Sequence, residues 1–562
     1  MRETIEMILD AYAGERAAPF HSKTAAWDAF ARLRDELAHL SAVHSYETLK
    51  LVFSVGKGKW ATVPWLAFLD TRETRTAQRG VYCLFLFRED MSGVYLALTQ
   101  GSAHPREKVR IRGLLPPLNN GFRIDDDVDL RSGGAAKSYA EGVVAYKLYE
   151  RGTIPDDESI EHDIHELLDA YRSYLDRTVV PPADDRAAMV EELIDAVNAS
   201  GFHFPAWLIA AYVTAVQTER FVILAGATGS GKSRLPRLVA NATGSDCKFV
   251  TVRADWNDSS DVIGYVDQKE SFRPGVLLRA AREAAADPHR MHFIVFDEMN
   301  LARVEYYLAE FLSVMASRWR DDHGVDRTLP LFSQPLGEDD AEWNRVELPE
   351  NLAIIGTVNM DEAGTGFSAR VLDRAFTIEM PAAELTEWSR AETLVPRPVQ
   401  WPRSAWLPRS LDLEHLNDVT SADVRVIERA IALLCQIDRC LVTAQFRIHY
   451  RQRNTVSLFA LHAGSIAASF RDVDALDLAV HAKVLPRIRG GSAPVRMAVM
   501  QLLGMTLTGT PFHDDREADA VVQRWRDDGC PDRLAEVRLP FTSARLCLMW
   551  HRLDIDGDTS FW

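Results

Sequence analysis

The sequence feature that most constrains the fold is a glycine-rich segment that directly follows an apolar run. The run covers residues 221–225, and the next segment fits the pattern GxxxxGKS and leads into a helical pattern. In such a segment, backbone N–H groups surround phosphate oxygens, the lysine contacts the β- and γ-phosphates, and the serine hydroxyl binds Mg²⁺. The pattern predicts a phosphate-binding loop with Ser233 as a Mg²⁺ ligand. Its predicted nucleotide-binding residues are Gly226, Ala227, Thr228, Gly229, Ser230, Gly231, Lys232 and Ser233.

Further apolar runs recur between helical patterns after this loop. They cover residues 249–252, 293–296 and 352–357, and residues 377–380 form another predicted strand. The first three are apolar on both faces, which is typical of buried strands in a parallel sheet. The alternation predicts an α/β fold in which helices flank a parallel sheet.

Two carboxylates follow the run at residues 293–296. Asp297 and Glu298 come directly after this predicted strand. The carboxyl ends of parallel strands form the edge at which ligands bind in such folds. The sequence therefore predicts that Asp297 binds Mg²⁺ and that Glu298 acts as the general base that polarises the attacking water.

Two further residues are candidates for catalysis. Asn359 follows the run at residues 352–357, where it could contact the γ-phosphate or orient the water; the alternative is that it caps the next helix. Arg374 precedes the last predicted strand, from which an arginine can reach the nucleotide of a neighbouring subunit and stabilise charge on the transferred phosphoryl group. An ion pair of Arg374 within its own subunit is the alternative.

The length of 562 residues indicates about three domains. We predict an α+β domain at 1–180, the nucleotide-binding α/β domain at 186–382, and a helical lid and C-terminal region at 383–562. Within the first, residues 80–98 predict a β-hairpin and residues 139–174 a helical stretch. The acidic segment from Trp319 to Glu350, which contains glycine and proline, predicts an exposed insertion.

Composition limits the cellular setting and the partners. Six scattered cysteines without CxxC spacing, no signal-peptide pattern and no long apolar stretch predict a cytoplasmic protein without a structural zinc site. The formal net charge is −17, whereas proteins that cover nucleic-acid backbones are usually basic. Any DNA contact is therefore expected in a local patch or in one domain.

Beyond the loop itself, four segments resemble AAA+ proteins, and within them the McrB-like GTPase branch of modification-dependent (type IV) restriction. They are RADWNDSSDVIGY at 253–265, FDEMNLARVEYY at 296–307, YRQRN at 450–454 and KVLPRIRG at 483–490. The resemblance covers about residues 200–495 and implies a P-loop NTPase with a helical lid. It also implies a nucleotide-sensing arginine in that lid, for which Arg451 is the nearest match and Arg453 the rival.

The same resemblance implies partners and a nucleotide. The partners are other copies of the chain in a ring, a hexamer in relatives, together with a McrC-like nuclease and modified DNA. We find no nuclease motif in this chain, so another chain would cut. GTP with Mg²⁺ is implied, but the family signature MNxxD is here VNMDE at 358–362, and no guanine-binding NKxD motif is present. ATP therefore stays open.

The N-terminal segments GKGKWATVPW at 56–65 and LFREDMSGVYL at 86–96 resemble the MrcB-like N-terminal domain. In restriction systems, this position carries the domain that recognises modified DNA. Stacking on an extruded base could come from Trp60, Trp65, Tyr82 and Tyr95. Contacts to phosphates could come from Lys57, Lys59, Arg72, Arg75 and Arg79. The alternative is that the aromatic residues are core and the basic residues a solvated face.

Two functions of different classes follow from these features. The first is a nucleotide-hydrolysing AAA+ motor subunit of a DNA restriction and anti-phage defence complex, which drives a separate McrC-like nuclease. The second is an AAA+ remodelling or chaperone-like ATPase whose N-terminal domain binds protein.

Overall fold

A computed structural model of the protein describes residues 1–21, 24–44, 46, 48–56, 58–74, 76–102, 108–119, 121–133, 137–178, 183–288, 290–320, 326–360, 366–382, 399, 401–416 and 419–562. These residues form two compact units, which divide at residues 181–182. No helix of the described residues is long and apolar enough to cross a membrane.

The first unit is built on an antiparallel sheet of five strands in the order β1-β2-β3-β4-β5. The strands are β1 (Leu49–Gly56), β2 (Trp60–Asp70), β3 (Val81–Phe87), β4 (Gly93–Gln100) and β5 (Val143–Glu150). The helices are α1 (Arg2–Arg16), α2 (Ala25–Ala38), α3 (Ser41–His44), α4 (Lys108–Leu114), α5 (Lys137–Gly142) and α6 (Asp157–Thr178). The predicted α+β architecture of this region is confirmed.

The hairpin predicted at residues 80–98 is confirmed, because β3 pairs with β4 from Val81 opposite Gln100 to Phe87 opposite Val94. The helical prediction for residues 139–174 is wrong over β5. That segment pairs with β4 and completes the sheet, and most of its side chains are buried. Strand preference depends on packing against neighbours that are distant in sequence, so the local pattern was misleading.

The second unit contains a parallel sheet in the order β14-β6-β13-β10-β7. Its strands are β6 (Phe221–Gly226), β7 (Asp246–Thr251), β10 (His292–Asp297), β13 (Leu352–Asn359) and β14 (Phe376–Glu379). Two small antiparallel pairs lie outside it, β8 (Gly264–Val266) with β9 (Phe272–Pro274) and β11 (Trp319–Arg320) with β12 (Asp326–Arg327). The predicted parallel α/β sheet is confirmed.

Helices flank this sheet and continue beyond it. Those in and around the sheet are α7 (Ala183–Asn198), α8 (Ala206–Thr218), α9 (Arg234–Thr243), α10 (Val276–Ala286), α11 (Val304–Tyr307), α12 (Ala309–Ala316) and α13 (Ala369–Leu372). Those that follow are α14 (Ser421–Leu441), α15 (Tyr450–Gly464), α16 (Ala475–Lys483), α17 (Ala493–Thr508), α18 (Asp515–Asp527) and α19 (Pro540–Ile555). The C-terminal region is therefore helical, as the sequence predicts.

The C-terminal helices attach to the edge strand β14. Glu379 of this strand forms an ion pair with Arg545 of α19 at 3.0 Å, and its other carboxylate oxygen lies 3.1 Å from Nε2 of His481 in α16. Between the sheet and α15 lies α8, which is buried on nearly every side. A helix that is apolar all round is stable only when it is enclosed, so α8 is a central element of the core.

The prediction that the segment from Trp319 to Glu350 is an exposed insertion is wrong for much of its described part. Leu331, Phe332 and Leu348 are buried in the same core cluster as α10, α12 and β13. Many acidic residues surround these three apolar residues. The composition of the segment therefore does not show that part of it is buried. The segment therefore contributes to the core on one face of the sheet.

A buried carboxylate anchors the β11–β12 hairpin. Asp326 is 4% exposed and forms ion pairs with Arg318 at 2.7 Å and Arg320 at 2.8 Å. These guanidinium groups hold the pKa of Asp326 below its usual value, although burial raises it. A buried charge without its partner is strongly destabilising, so Asp326 and its arginines stabilise the fold only together.

We expect Asp326→Ala to lower the free energy of unfolding by about 3 kcal/mol, because it leaves two guanidinium groups without their carboxylate. Denaturant titration of the full chain measures this. The control is Arg327→Ala on the same hairpin, which removes a more exposed ion pair with Glu347 at 2.6 Å and should cost less than about 1 kcal/mol. Equal losses in the two variants would contradict the anchoring role.

Candidate functional site

The glycine-rich loop has the backbone that its sequence requires. It follows β6 and ends where α9 begins at Arg234. Gly229 and Gly231 have φ angles of +86° and +90°, which residues with a side chain rarely adopt. A Cβ atom on Gly231 would also lie 3.0 Å from the ring of Phe204. Both glycines are therefore needed for the turn that directs backbone N–H groups into the loop.

The polar side chains of Lys232 and Ser230 differ in their surroundings. The buried ammonium of Lys232 donates to the carbonyl oxygens of Gly226 at 3.0 Å and Ala227 at 2.6 Å, which holds it against the loop. The buried hydroxyl of Ser230 has no hydrogen-bond partner among the described residues. This hydroxyl lies 3.1 Å from where a Cβ atom of Gly226 would be and does not line the cleft described below, so the structure does not place it as a phosphate contact.

Ser233 and Asp297 meet as the sequence predicts. The Ser233 hydroxyl donates to Oδ1 of Asp297 at 2.6 Å, across the gap between the loop and the end of β10. Hydroxyl and carboxylate oxygens are the ligands that Mg²⁺ prefers, and a magnesium site usually completes its shell with water and substrate phosphates. The two residues present therefore fit a Mg²⁺ ion next to the phosphates.

Thr357 is a site residue that the sequence reasoning missed. Its hydroxyl, in the interior of β13, donates to Oδ1 of Asp297 at 2.7 Å. The hydroxyl oxygen of Thr357 in turn accepts the backbone N–H of Glu298 at 3.0 Å. Thr357 thus holds both carboxylate residues at the edge of the sheet. The available signal was a polar residue in a strand that is otherwise apolar and buried, since such a group needs a partner.

Glu298 has an unusual backbone conformation. Its φ and ψ angles are 55° and 48°, in the left-handed region that non-glycine residues rarely occupy. Its neighbour Asp297 ends β10, whereas the side chain of Glu298 is exposed and lines the cleft described below. Strain of this kind often occurs at functional sites. The turn therefore suits an accessible carboxylate that polarises water.

Asn359 is the last residue of β13 and is mostly buried. Its backbone oxygen lies 3.5 Å from the side-chain nitrogen of Asn300, which follows β10. The next helix of the described residues, α13, has Ser368 at its N-cap, so Asn359 caps no described helix. Asp361 and Glu362, the remaining polar residues of the altered signature, lie outside the described residues.

The loop and the strand ends enclose a cleft of about 490 Å³. This volume is ordinary for a small-molecule site. The lining residues are Phe202, Thr228, Gly229, Gly231, Lys232, Ser233, Arg234, Arg237, Phe249, Asp297, Glu298, Thr357 and Asn359. The structure thus brings together most of the predicted loop residues, both carboxylates and Asn359 in one cleft.

Arg374 does not line this cleft. It precedes Phe376 by two residues, and Phe376 pairs with Val222, which is four residues before Gly226. At about 3.3 Å per residue, Phe376 lies roughly 13 Å from the level of Gly226 along the strands, and Arg374 lies in the turn before it. Arg374 is therefore at the amino ends of the strands, whereas the loop is at their carboxyl ends.

The surroundings of Arg374 do not support the alternative of an ion pair within the subunit. Its Nη1 donates to the backbone oxygen of Arg370 at 3.0 Å, and its buried Nε has no partner among the described residues. Arg374 forms no ion pair with any of the residues that the structure describes. Partial burial and the nearby charge of Arg451 lower the pKa of Arg374 from its usual value.

Arg451 also lies outside the cleft. It is the second residue of α15 and forms an ion pair with Asp373 at 3.0 Å, so it is a neighbour of Arg374. Lys483 holds this region together, because its buried ammonium donates to the backbone oxygens of Asp373 at 3.0 Å and Ala375 at 2.7 Å, and more weakly to that of Leu372. The structure therefore does not bring Arg451 to its own subunit's loop.

Arg453 is the second candidate for the nucleotide-sensing arginine. Its contacts do not bring it to the phosphate-binding loop either. Its guanidinium bonds to Glu414 and to Asn454, and it stacks 4.9 Å over the ring of Tyr450. Its side chain also does not line the cleft. Neither of the two lid arginines is thus an observed contact for a nucleotide in this subunit.

The aromatic candidates of the first unit are mostly structural. Tyr82 and Tyr95 are 1% exposed, so for these two residues the structure supports the alternative that they are core residues and not the one that they stack on an extruded base. Trp60 donates from its indole N–H to the backbone oxygen of Ala18 at 3.0 Å, and its ring packs against Tyr12 at 5.5 Å. Trp65 is half-buried against the small core of the sheet.

The basic residues of this unit that were predicted to contact DNA phosphates differ in their exposure and in their ion pairs. Arg72 forms an ion pair with the fully buried Asp70 at 2.8 Å, so the prediction that it contacts phosphates is not supported. Lys59 and Arg79 are exposed. Lys57 and Arg75 lie outside the described residues.

Comparison with known proteins supports this architecture. Residues 7–176 match the family model of the MrcB-like N-terminal domain, and residues 221–375 match an AAA domain of the dynein-related subfamily. The chain is 24% identical over 343 residues to the type IV methyl-directed restriction enzyme EcoKMcrB subunit of Escherichia coli strain K12, covering 59% of this chain and 70% of that protein. The chain is thus similar to the McrB subunit and carries an AAA domain. Its cleft is accordingly that of an NTPase that uses a nucleotide and Mg²⁺.

Two further matches complete the comparison. Residues 408–559 of the chain match a domain of unknown function. A solved structure of a candidate ATPase from Cytophaga hutchinsonii is 14% identical and covers 54% of this chain and 88% of that chain, with a TM-score of 0.33.

We expect Thr357→Val to lower the rate of nucleotide hydrolysis roughly tenfold to a hundredfold, because a hydrogen bond to a charged group is lost. The affinity for the nucleotide should change less than about threefold, since the loop is untouched. Steady-state hydrolysis and equilibrium binding measure the two effects. Thr357→Ser keeps the hydroxyl and is the matched control; a Ser variant as slow as the Val variant would argue against the hydrogen bond.

Proposed function

We propose that this protein is the motor subunit of a modification-dependent DNA restriction and anti-phage defence complex, and that it drives a separate McrC-like nuclease. The observation that carries the proposal is the combination, in one chain, of a cleft that joins a phosphate-binding loop to two carboxylates with an MrcB-like N-terminal domain. The E. coli relative, to which 59% of this chain is similar, is a subunit of a type IV methyl-directed restriction enzyme. Residues 1–180 would recognise the DNA target, and residues 186–382 with the helical region 383–562 would hydrolyse the nucleotide.

The chemistry follows from the cleft. Lys232 would contact the β- and γ-phosphates, and Ser233 with Asp297 would hold Mg²⁺, which supplies charge neutralisation on those phosphates. Glu298 would accept a proton from the attacking water, and Asn359 would orient that water. The resemblance favours GTP over ATP as the substrate.

We further propose a ring of subunits, a hexamer as in relatives. The support is the position of Arg374 at the edge of the sheet opposite its own loop. From there it can act only on the nucleotide of another subunit, where it would stabilise the charge that develops during phosphoryl transfer. Arg451, which is tied to the adjacent Asp373, would act at the same interface.

Mixed rings test this arrangement. Glu298→Gln and Arg374→Ala should each abolish most hydrolysis when alone. When the two are mixed in equal amounts, roughly a quarter of the interfaces should combine an intact cleft with an intact arginine and regain turnover. The control mixes Glu298→Gln with Lys232→Ala, which damage the same cleft and should recover nothing. Two outcomes would contradict the action of Arg374 between subunits: full hydrolysis by Arg374→Ala alone, or no recovery of hydrolysis when Arg374→Ala is mixed with Glu298→Gln.

The N-terminal recognition of DNA has its own test. We expect the full chain to bind methylated duplex DNA more tightly than unmethylated duplex in a filter-binding assay. Lys59→Glu should weaken binding roughly fivefold at moderate salt, because it removes a phosphate contact. The control is Lys137→Glu, which changes another exposed lysine of the same unit. Failure to bind either DNA would leave the restriction complex without its recognition domain.

The alternative is an AAA+ remodelling or chaperone-like ATPase whose N-terminal domain binds protein. Two observations favour it, the net charge of −17 and the burial of Tyr82 and Tyr95. Absence of DNA binding together with intact nucleotide hydrolysis would support this function.

A further inference from the structure

A second cavity lies between the edge strand β14 and the C-terminal helices. Its volume is about 280 Å³, and its wall is formed by β14, by the two residues that follow this strand, and by parts of α8, α16 and α19. Among the described residues, none lines both this cavity and the nucleotide cleft. Sites for small molecules usually measure roughly 300 to 1,000 Å³, so this cavity fits a molecule of one or two rings.

The wall of the cavity is mostly apolar and rich in aromatic residues. The rings of Trp207 in α8 and Phe541 in α19 lie 4.9 Å apart at one side of it. Trp525, which is buried, and Leu548 extend the same apolar surface. Flat aromatic molecules pack favourably against such rings, at centroid distances of about 4.5 to 7 Å. The wall therefore favours an aromatic ligand.

Two polar groups of the wall lack hydrogen-bond partners among the described residues. They are the hydroxyl of Thr377, which is 1% exposed, and Nε of Arg545, whose side chain is 10% exposed. Arg545 uses its other two nitrogens to bind Glu379 and the backbone oxygen of Phe561. Thr377 and Glu379 are two residues apart in β14, so they point to the same face of the strand. A ligand with an acceptor oxygen would give both groups the partner that buried polar groups normally have.

The charges around the cavity favour an uncharged ligand. Burial raises the pKa of Glu379, but the charge of Arg545 and the hydrogen bond from His481 outweigh it and hold this pKa below its usual value. Glu379 is therefore ionised at neutral pH and balances Arg545. Asp532 adds a second carboxylate to the wall. A bound anion would face two carboxylates, a bound cation would face the guanidinium, and either would lose its hydration in an apolar site.

Met380 connects this cavity to the phosphate-binding loop. It lines the cavity, and its backbone N–H donates to the carbonyl oxygen of Ala225 at 2.7 Å. Its Cβ also lies 3.0 Å from where a Cβ atom of Gly226 would be. Protein interiors are closely packed, so a ligand that displaces Met380 also displaces the first residue of the loop.

We propose that this cavity binds a small uncharged aromatic molecule with one acceptor oxygen, and that its occupation changes the rate of nucleotide hydrolysis through Met380. The rings of the ligand lie against Trp207 and Phe541, and its acceptor oxygen receives hydrogen bonds from Thr377 and Arg545. The binding site is independent of the proposed function, whereas the effect on hydrolysis rests on it.

Equilibrium binding of coumarin and naphthalene to the full chain tests the site. Both probes have two fused rings, but only coumarin carries a carbonyl acceptor. The wild-type protein should bind both. Thr377→Val removes the hydroxyl at nearly constant volume, so it should weaken coumarin binding roughly threefold to tenfold. Its affinity for naphthalene should not fall, which also shows that this variant is folded.

A variant that fills the cavity gives a second test. Leu548→Trp should weaken the binding of both probes more than about tenfold, because the larger ring occupies their place. A cooperative thermal transition shows that it is folded. The control is Ile555→Trp on the same helix, where the side chain is 67% exposed and outside the cavity. This control should leave the binding of both probes and the hydrolysis rate unchanged.

The coupling to the loop is measured as the steady-state hydrolysis rate at saturating coumarin. This rate should change roughly twofold or more in the wild type and stay constant in Leu548→Trp. Four outcomes would overturn the site: no binding of either probe, equal losses in Thr377→Val for both probes, unchanged binding in Leu548→Trp, or complete displacement of coumarin by saturating GTP or ATP. Binding without any change in hydrolysis would overturn the coupling. Coumarin binding by a wild-type protein that hydrolyses no nucleotide would instead refute the proposed function and leave the site in place.

Discussion

The register of the parallel strands β6, β13 and β10 is the constraint on which the cleft depends. Asn359 pairs with Gly226, and Phe296 pairs with Gly356, so the three strands end at one edge. Their side chains are buried on both faces, and a shift by one residue would reverse which side chains point to which face. The same register places Thr357 within hydrogen-bond distance of Asp297, so the site is fixed by the pairing of the backbone.

The parts that the sequence predicts well are those with local causes. The loop from Gly226 to Ser233 has a spacing that only phosphate binding explains, and the buried strands are continuous apolar runs. Asp297 and Glu298 were predicted because they end such a run, and parallel strands necessarily bring their ends together. For these elements, knowledge of neighbours in sequence was enough.

The parts that the sequence predicts poorly depend on distant neighbours. Strand β5 joins the sheet only because β4 offers an unpaired edge, and Tyr95 is buried by segments from elsewhere in the unit. Leu331 lies in an acidic stretch whose composition predicted exposure. The position of Arg451 was equally hidden, since its partner Asp373 is 78 residues away in the chain. None of these contacts has a signature in the adjacent sequence.

The buried ammonium of Lys483 has a mechanical consequence. It donates to backbone oxygens at Leu372, Asp373 and Ala375, on both sides of Arg374. To separate α16 from this segment would leave three carbonyl groups and a charge without partners in the protein interior, which is unfavourable. Arg374 is thus tied to α16 through the main chain on either side of it, so these three hydrogen bonds would transmit a displacement of α16 to the arginine.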